Sequence, residues 1–148
     1  MKKIIVIMSL VCLSSIPLLL IASNDKQIDF NRLPAQSKQF VKKFFPKQSI
    51  ALIKMESEVF DKSYEVIFTN GDKAEFDKKG NWTEVDCKYA QVPVDVVPSQ
   101  IRNYVGKNYP NSKITKIEKE ARGQYEIELS NGMELKFNSK FNLIDIDN

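Results

Sequence analysis

The sequence repeats one long pattern, and this repeat constrains the fold more than any other feature. Segment 33–46, which begins Leu-Pro and ends Phe-Pro, returns 64 residues later as segment 97–110, which begins Val-Pro and ends Tyr-Pro. Tyr-Glu-Val followed by Asn-Gly at 64–71 returns 61 residues later as Tyr-Glu-Ile with Asn-Gly at 125–132. A period this long is typical of a duplicated supersecondary unit. The spacing therefore predicts two tandem repeats, at 28–89 and 90–148.

The first 22 residues have the layout of a secretory signal peptide. A basic Met1-Lys2-Lys3 start precedes an almost wholly apolar run from Ile4 to Ile21, and the chain then turns polar. This pattern predicts cleavage after residue 22 and a periplasmic or secreted domain over 23–148. The alternative is an uncleaved membrane anchor, because the run is about long enough to span a bilayer, which takes roughly 17–25 residues.

Charge and composition exclude several classes of function. Without Lys2 and Lys3, 20 basic residues stand against 19 acidic ones, so we expect neither nucleic-acid binding nor a membrane-surface role after cleavage. The chain has no histidine, which removes Ser-His and Cys-His nucleophilic pairs and the commonest zinc ligand. Cys87 is the single cysteine beyond the leader; it could pair between chains or be a covered structural thiol.

Paired carboxylates are the remaining candidates for chemistry, and their pattern is ordinary. Glu126 and Glu128 share one strand face, as do Asp145 and Asp147, and alternating acids are common on the wet side of a sheet. Asp145, Asp147 and Asn148 could touch a calcium ion but lack the looped spacing that encloses one. We therefore predict no catalytic residues, no cofactor, no metal site and no enzyme activity.

Each repeat opens with a helix. Pro34 and Pro98 suit a first helical turn, where the missing N–H costs nothing, and Pro46 and Pro110 end both helices. The apolar residues fall at one-face helical spacing. In the two copies they are Leu33, Phe40, Val41 and Phe44, and Val97, Ile101, Tyr104 and Val105.

Four short segments with period-two alternation follow each helix. Asn70-Gly71 and Asn131-Gly132 predict two-residue hairpin turns with positive φ at both residues. The pattern predicts one antiparallel sheet of eight strands, with an apolar face covered by the helices and a polar face open to water. The predicted strands are 50–56, 62–69, 72–77, 82–86, 113–120, 124–130, 133–138 and 142–147.

These motifs together resemble the PepSY-like family, which is also described as β-lactamase-inhibitor-like. The resemblance rests on Leu-Pro, a helix ending aromatic-Pro, Tyr-Glu-Val, Asn-Gly, Phe-Asp and Gly-Asn-Trp, and it covers residues 28–148. It implies an exported bacterial protein of the α+β class. The implied fold is a tandem α-β4 repeat similar to β-lactamase inhibitory protein, without catalytic residues to carry over.

The open sheet face is the candidate binding surface. Leu52 and Ile67 are apolar where the second copy has Lys116 and Glu128, and Trp82 stands where it has Leu143. Apolar side chains amid mixed charge suit a protein-binding patch. The candidate residues are Leu52, Ile67, Lys73, Glu75, Trp82, Lys116 and Glu128.

Two hypotheses for function follow. The first is a non-catalytic exported binding or inhibitory module that uses this face against another envelope protein, such as a hydrolase or peptidase. The alternative is a small-ligand carrier or envelope-stress protein, which requires an enclosed cavity between sheet and helices. For Trp82 the alternative to a place in the binding patch is that its side chain simply fills the core. The sequence does not predict the oligomeric state.

Overall fold

The computed structural model describes residues 25–148, so the predicted signal peptide lies outside the described residues. Two α-helices, α1 (Ala35–Phe44) and α2 (Ser99–Asn108), each precede a run of strands, and 3₁₀ turns occupy Phe30–Arg32, Val94–Val96 and Ala121–Gly123. No helix within 25–148 is long and apolar enough to cross a bilayer. The strands are β1 (Lys26–Gln27), β2 (Ile50–Ser57), β3 (Lys62–Phe68), β4 (Lys73–Asp77), β5 (Trp82–Asp86), β6 (Ile114–Lys119), β7 (Tyr125–Leu129), β8 (Glu134–Phe137) and β9 (Leu143–Asp147).

All nine strands form one antiparallel sheet in which each strand pairs with its neighbours in sequence, from β1 at one edge to β9 at the other. The α+β class and the open antiparallel sheet are as predicted. The predicted count of eight strands misses β1, because two residues are too short to show any periodicity. β1 pairs with Lys54 and Met55 of β2 and extends the sheet by one short edge.

Both helices pack on the same face of the sheet through aromatic contacts. Phe40 of α1 meets Phe76 of β4 edge to face with ring centroids 5.5 Å apart. Tyr104 of α2 meets Phe137 of β8 in the same geometry, also at 5.5 Å. Phe76 and Phe137 are fully buried, so the apolar face predicted from the alternation lies beneath the helices.

At the end of α1 the buried aromatic side chain is that of Phe45 and not that of Phe44, which the helical spacing predicted. Phe45, one position beyond the helix, is 5% exposed and stacks on Phe68 of β3 at 4.5 Å, whereas Phe44 is only partly buried at the margin of the core. The backbone turns at Phe45, which leaves the helical region with φ −126°. Because the helix ends there, helical spacing no longer predicts which aromatic side chain points inward.

The Asn-Gly turns form by a different mechanism from the one predicted. Gly71 and Gly132 have positive φ, at 91° and 86°, but neither asparagine does. Asn70 instead accepts a hydrogen bond from the Asp72 N–H through its side-chain oxygen, at 3.1 Å. The turns are therefore longer hairpin loops in which one glycine supplies the left-handed residue and asparagine closes the loop with its side chain.

Gly80 marks the point where α1 approaches the β4–β5 turn most closely. A Cβ atom built on Gly80 would lie 2.6 Å from Pro34 Cβ and 2.9 Å from Ser37 Oγ, and its φ is +90°. Ser37, which is fully buried, donates a hydrogen bond from Oγ to the Gly80 carbonyl at 3.3 Å. Only glycine combines this backbone conformation with this close approach.

Replacing Phe45 by alanine should lower the free energy of unfolding by about 3–5 kcal/mol, because the ring is buried and its loss leaves a cavity against Phe68. Urea titration monitored by circular dichroism measures the change. Phe60→Ala is the matched control, because Phe60 is 93% exposed and its loss should change stability by less than about 0.5 kcal/mol. Equal effects of the two substitutions would contradict this account of the core.

Cys87 should be unreactive in the folded protein. Its side chain is 1% exposed, and burial, with Asp72 nearby, raises the pKa of the thiol to about 12, so the nucleophilic thiolate is scarce. In a Cys12→Ser chain, Ellman's reagent should modify Cys87 only after denaturant unfolds the domain. Rapid labelling without denaturant would show that the thiol is accessible and free to pair between chains.

Candidate functional site

The candidate site is the face of the sheet opposite the helices. Side chains on this open face alternate with the buried residues, so Glu65 and Ile67 point outward between Tyr64, Val66 and Phe68. Six of the seven candidate binding residues lie on the open face, each partly exposed. They are Leu52, Ile67, Lys73, Glu75, Lys116 and Glu128.

Trp82 does not lie on the open face, which corrects the prediction. The β4–β5 register pairs Glu75 with Glu84 but Phe76 with Trp82, so Thr83 is an extra residue that turns Trp82 toward the helix side. The Trp82 ring lies 6.2 Å from the Phe40 ring and is partly buried at the edge of the core. Trp82 therefore packs against α1 and is excluded from the binding surface.

Lys119 covers the other side of Trp82. Its Nζ lies 3.8 Å from the centroid of the Trp82 ring, which is a cation–π contact. Burial lowers the pKa of this amine, partly offset by the negative charge of Asp77. The pair closes the edge of the apolar layer next to α1.

A continuous row of five glutamates crosses the open face. The strand registers place Glu65 opposite Glu75, Glu75 opposite Glu84, Glu84 opposite Glu118, and Glu118 opposite Glu126. We call these five residues the glutamate row. In this row, like charges face each other across five strands. Like charges directly opposite one another destabilise a sheet.

Lysines at neighbouring positions neutralise part of the glutamate row. At one end Glu65 lies 3.2 Å from Lys54 and 3.6 Å from Lys73. In the middle Lys116 lies 3.2 Å from Glu84 and 3.8 Å from Glu118.

At the other end of the row Lys136 lies 3.7 Å from Glu126 and also pairs with Glu120 at 2.6 Å. Among residues 25–148, Glu75 is the row member without an ion pair. The centre of the open face is therefore its least compensated negative point.

The pKa values of three glutamates reflect this crowding. Burial raises the pKa of Glu75, and the charges of Glu84 and then Glu65 raise it further. Burial likewise raises the pKa of Glu84 despite the opposing effect of Lys116. The pKa of Glu126 is raised by burial and by Glu120. Each shift means that the folded sheet holds these carboxylates in their charged form at a cost.

A second row, adjacent to the first, alternates in sign from β4 to β7. Lys73 pairs with Asp86, Asp86 with Lys116, and Lys116 with Glu128. Leu52 and Ile67 are directly opposite each other and form an apolar end to this row. Beyond Glu128 this row is negative as well, because Glu128 lies opposite Glu134 and Glu134 lies opposite Asp147. The glutamate row, with five residues, is the longer of these two runs of facing like charges.

Sequence reasoning missed Glu84 and Asp86, although both alternate with the buried Val85 and could have been found from that pattern. It could not have found the glutamate row, because cross-strand partners depend on the register of every hairpin, including the irregularities in β2–β3, β4–β5 and β6–β7. Only the assembled sheet brings the five carboxylates into line.

The arrangement concentrates negative charge on the open face. Carboxylates in a row can attract cationic groups, but no group of three or more His, Cys, Asp or Glu side chains within residues 25–148 is placed to hold a metal ion. The space between α1 and the sheet is filled by Phe40, Phe45, Phe68 and Phe76. This packing gives no support to the alternative of a ligand carrier with an enclosed cavity.

Fold and face together define a small α+β protein with a helix-covered sheet and a charged open surface. The chain belongs to the PepSY-like family, whose full description is "Putative beta-lactamase-inhibitor-like, PepSY-like" and which matches residues 62–145. The predicted family is thereby confirmed, and its description is that of an inhibitor-like domain rather than an enzyme. A comparison with curated proteins finds no significant match.

Three solved structures are similar over most of the chain. A "putative periplasmic protein" of the DUF2874 family from Bacteroides vulgatus is 57% identical, with a TM-score of 0.82, over 86% of this chain and 99% of that one. A "putative calcium-regulated periplasmic protein" from Bacteroides thetaiotaomicron is 56% identical, with a TM-score of 0.81, over 84% and 97%. A third, from B. vulgatus and described as of unknown function, is 35% identical, with a TM-score of 0.78, over 84% and 99%.

Neutralising Glu75 should stabilise the protein at pH 7. The folded-state pKa of Glu75 is raised above its ordinary 4.5. The free energy of unfolding therefore decreases as pH rises from the ordinary pKa through the raised one, and this loss of stability is absent at lower pH. Glu75→Gln, which resembles the protonated acid, should therefore raise the urea midpoint at pH 7 and lose this advantage near pH 4.

Asp95→Asn is the control for this pH series, because Asp95 is an exposed carboxylate in the turn before α2. Its urea midpoint should follow that of the unmodified protein at every pH. A Glu75→Gln midpoint below the unmodified value at pH 7 would show that Glu75 stabilises the sheet instead.

Proposed function

We propose that this protein is a non-catalytic exported binding module whose open sheet face binds a basic surface of another envelope protein. The observation that carries the proposal is the glutamate row. Five carboxylates face one another across β3 to β7, and the folded sheet gains nothing from that repulsion. A local arrangement that opposes stability without structural benefit is typical of a functional surface.

The chemistry of the row indicates the partner. A Lys- or Arg-rich surface would relieve the repulsion at Glu75 and Glu84, and complementary charge speeds association and excludes wrong partners. Leu52 and Ile67 supply an adjoining apolar contact of the kind that forms the centre of a protein interface. Exported hydrolases and peptidases are the partner class we favour, because the family is described as inhibitor-like.

The relatives and the leader support a periplasmic location. Two similar proteins of known structure are described as periplasmic, and residues 1–22 have the pattern of a signal peptide. We infer a periplasmic domain made by duplication of one α-β4 unit, since a helix followed by four strands occurs twice in the element order. Its similarity to the fold of β-lactamase inhibitory protein stays a prediction.

One of the similar proteins of known structure is described as calcium-regulated. The geometry gives no metal cluster within residues 25–148, so the proposal places no calcium site in this chain. Calcium is instead a variable in the binding experiment, because a divalent ion on the open face would compete with a basic partner for the carboxylates.

Capture from envelope extract of the producing organism tests the proposal. The immobilised protein should retain one basic partner, and the double variant Glu75→Gln/Glu84→Gln should lose it while being at least as stable as the unmodified protein. That combination separates a binding role from a structural one. Retention should also decrease as salt increases.

Glu58→Gln/Asp61→Asn is the matched control, because it removes the same charge from the exposed β2–β3 turn and should retain the partner. The proposal is wrong if both double variants retain the same proteins equally, or if Ile67→Asp leaves capture unchanged. Retention that depends on added calcium would point to an ion-mediated contact instead.

A further inference from the structure

Strand β9 leaves one edge of the sheet open. It pairs with β8 on one side, and no other strand in residues 25–148 covers its outer side. Ile144 and Ile146 are 49% and 43% exposed, two of the most exposed aliphatic side chains in the described structure. Exposed edges of this kind are usually blunted by charged residues, especially lysine, by proline, by bulges or by very short strands. Strand β9 carries two aspartates and an irregular register with β8, but neither lysine nor proline.

The backbone of β9 presents an outward-facing donor at Ile146. In an antiparallel pair, alternate residues direct their N–H and C=O groups away from the neighbouring strand. The Ile146 N–H bonds the Asp145 Oδ1 of its own strand at 3.0 Å. That bond is local and exposed, so an incoming strand can replace it with a main-chain carbonyl.

The side chains of β9 separate by face. Ile146 lies opposite the buried Leu135 and continues the apolar face, whereas Asp145 and Asp147 lie opposite Lys136 and Glu134 on the open face. Glu126, Glu134, Asp145 and Asp147 line one shallow depression together with Lys136.

The single lysine of this depression is already engaged. Lys136 bonds Glu120 and Glu126, and Asp145 and Asp147 make no ion pair within the described residues. The outer end of the open face is therefore negatively charged and lies directly beside a free strand edge.

We propose that β9 is a docking edge for an extended basic segment of a partner protein, which adds a tenth strand to the sheet. The segment has the pattern basic, aliphatic, basic: its aliphatic residue lies opposite Ile146, and Lys or Arg residues lie opposite Asp145 and Asp147. Main-chain hydrogen bonds would supply affinity, and the alternating side chains would supply specificity. This edge site borders Glu126 at the end of the glutamate row but does not use Glu75 or Glu84 at its centre.

Charge disfavours a second copy of this chain as the occupant in the register centred on Ile146. Two β9 strands paired antiparallel around Ile146 would place Asp145 of each opposite Asp147 of the other, and like charges at directly opposed positions destabilise the pair. The other edge of the sheet is less suitable, because β1 has only two residues and one of them is Lys26.

A fluorescein-labelled peptide with alternating Lys and Val, blocked at both ends, tests the edge site by fluorescence anisotropy on the full chain. We expect saturable binding, with slowed amide hydrogen exchange at Ile146. A peptide with Glu in place of Lys should not bind.

Asp145→Lys/Asp147→Lys should weaken binding at least tenfold. Glu58→Lys/Asp61→Lys, which makes the same change in net charge at the β2–β3 turn, should have less than a twofold effect. Ile146→Pro should abolish binding, because it removes the outward N–H without removing a bond to β8. Its thermal melting curve checks that the variant folds.

Equal weakening by the two lysine double variants would overturn the proposal, as would exchange protection that appears elsewhere on the open face but not in β9. Glu75→Gln/Glu84→Gln should bind the peptide as the unmodified protein does. Loss of binding in that variant would assign the peptide to the glutamate row instead of the edge, so failure of this proposal and failure of the proposed function are distinguishable.

Discussion

The contact between helix aromatics and the inner face of the sheet is the interaction on which the rest of the structure depends. Phe40 on Phe76, Phe45 on Phe68 and Tyr104 on Phe137 hold the helices to strands β3, β4 and β8. Because successive side chains of a strand alternate between faces, fixing this inner face also fixes which residues reach the opposite one. The open face is thus determined by packing that occurs on the other side.

Stability and the proposed binding function make opposing demands on that open face. Burial and neighbouring charges raise the pKa values of Glu75, Glu84 and Glu126, so the folded chain keeps carboxylates that it would be more stable without. The lysines beside them limit the cost without removing it. A partner that brought positive charge would complete the neutralisation, which is why we associate this face with binding.

Local sequence pattern was sufficient to predict the helices and strands, but it was insufficient to predict which side chains contact each other between them. Period-two alternation and the paired prolines located both helices and the strands β2 to β9, because each signal lies within a few residues of its element. Phe44 was predicted to be buried where Phe45 is, and Trp82 was placed on the open face. A helix end and an extra residue at Thr83 change the direction of a side chain without a sequence signal. The glutamate row depends on four successive registers, and register is a property of the pairing rather than of any single strand.

Pairing only between sequence neighbours has a consequence for how the chain reaches its native state. A meander in which β1 through β9 pair in chain order has no crossover between distant strands, and proteins with lower relative contact order fold faster. Within each half, from β2 to β5 and from β6 to β9, a strand can pair with the one before it after a short turn, whereas β5 and β6 are separated by α2. A chain that emerges into its compartment from the amino end first can therefore assemble as it arrives, which shortens the time that its apolar inner face is open to proteases and to aggregation.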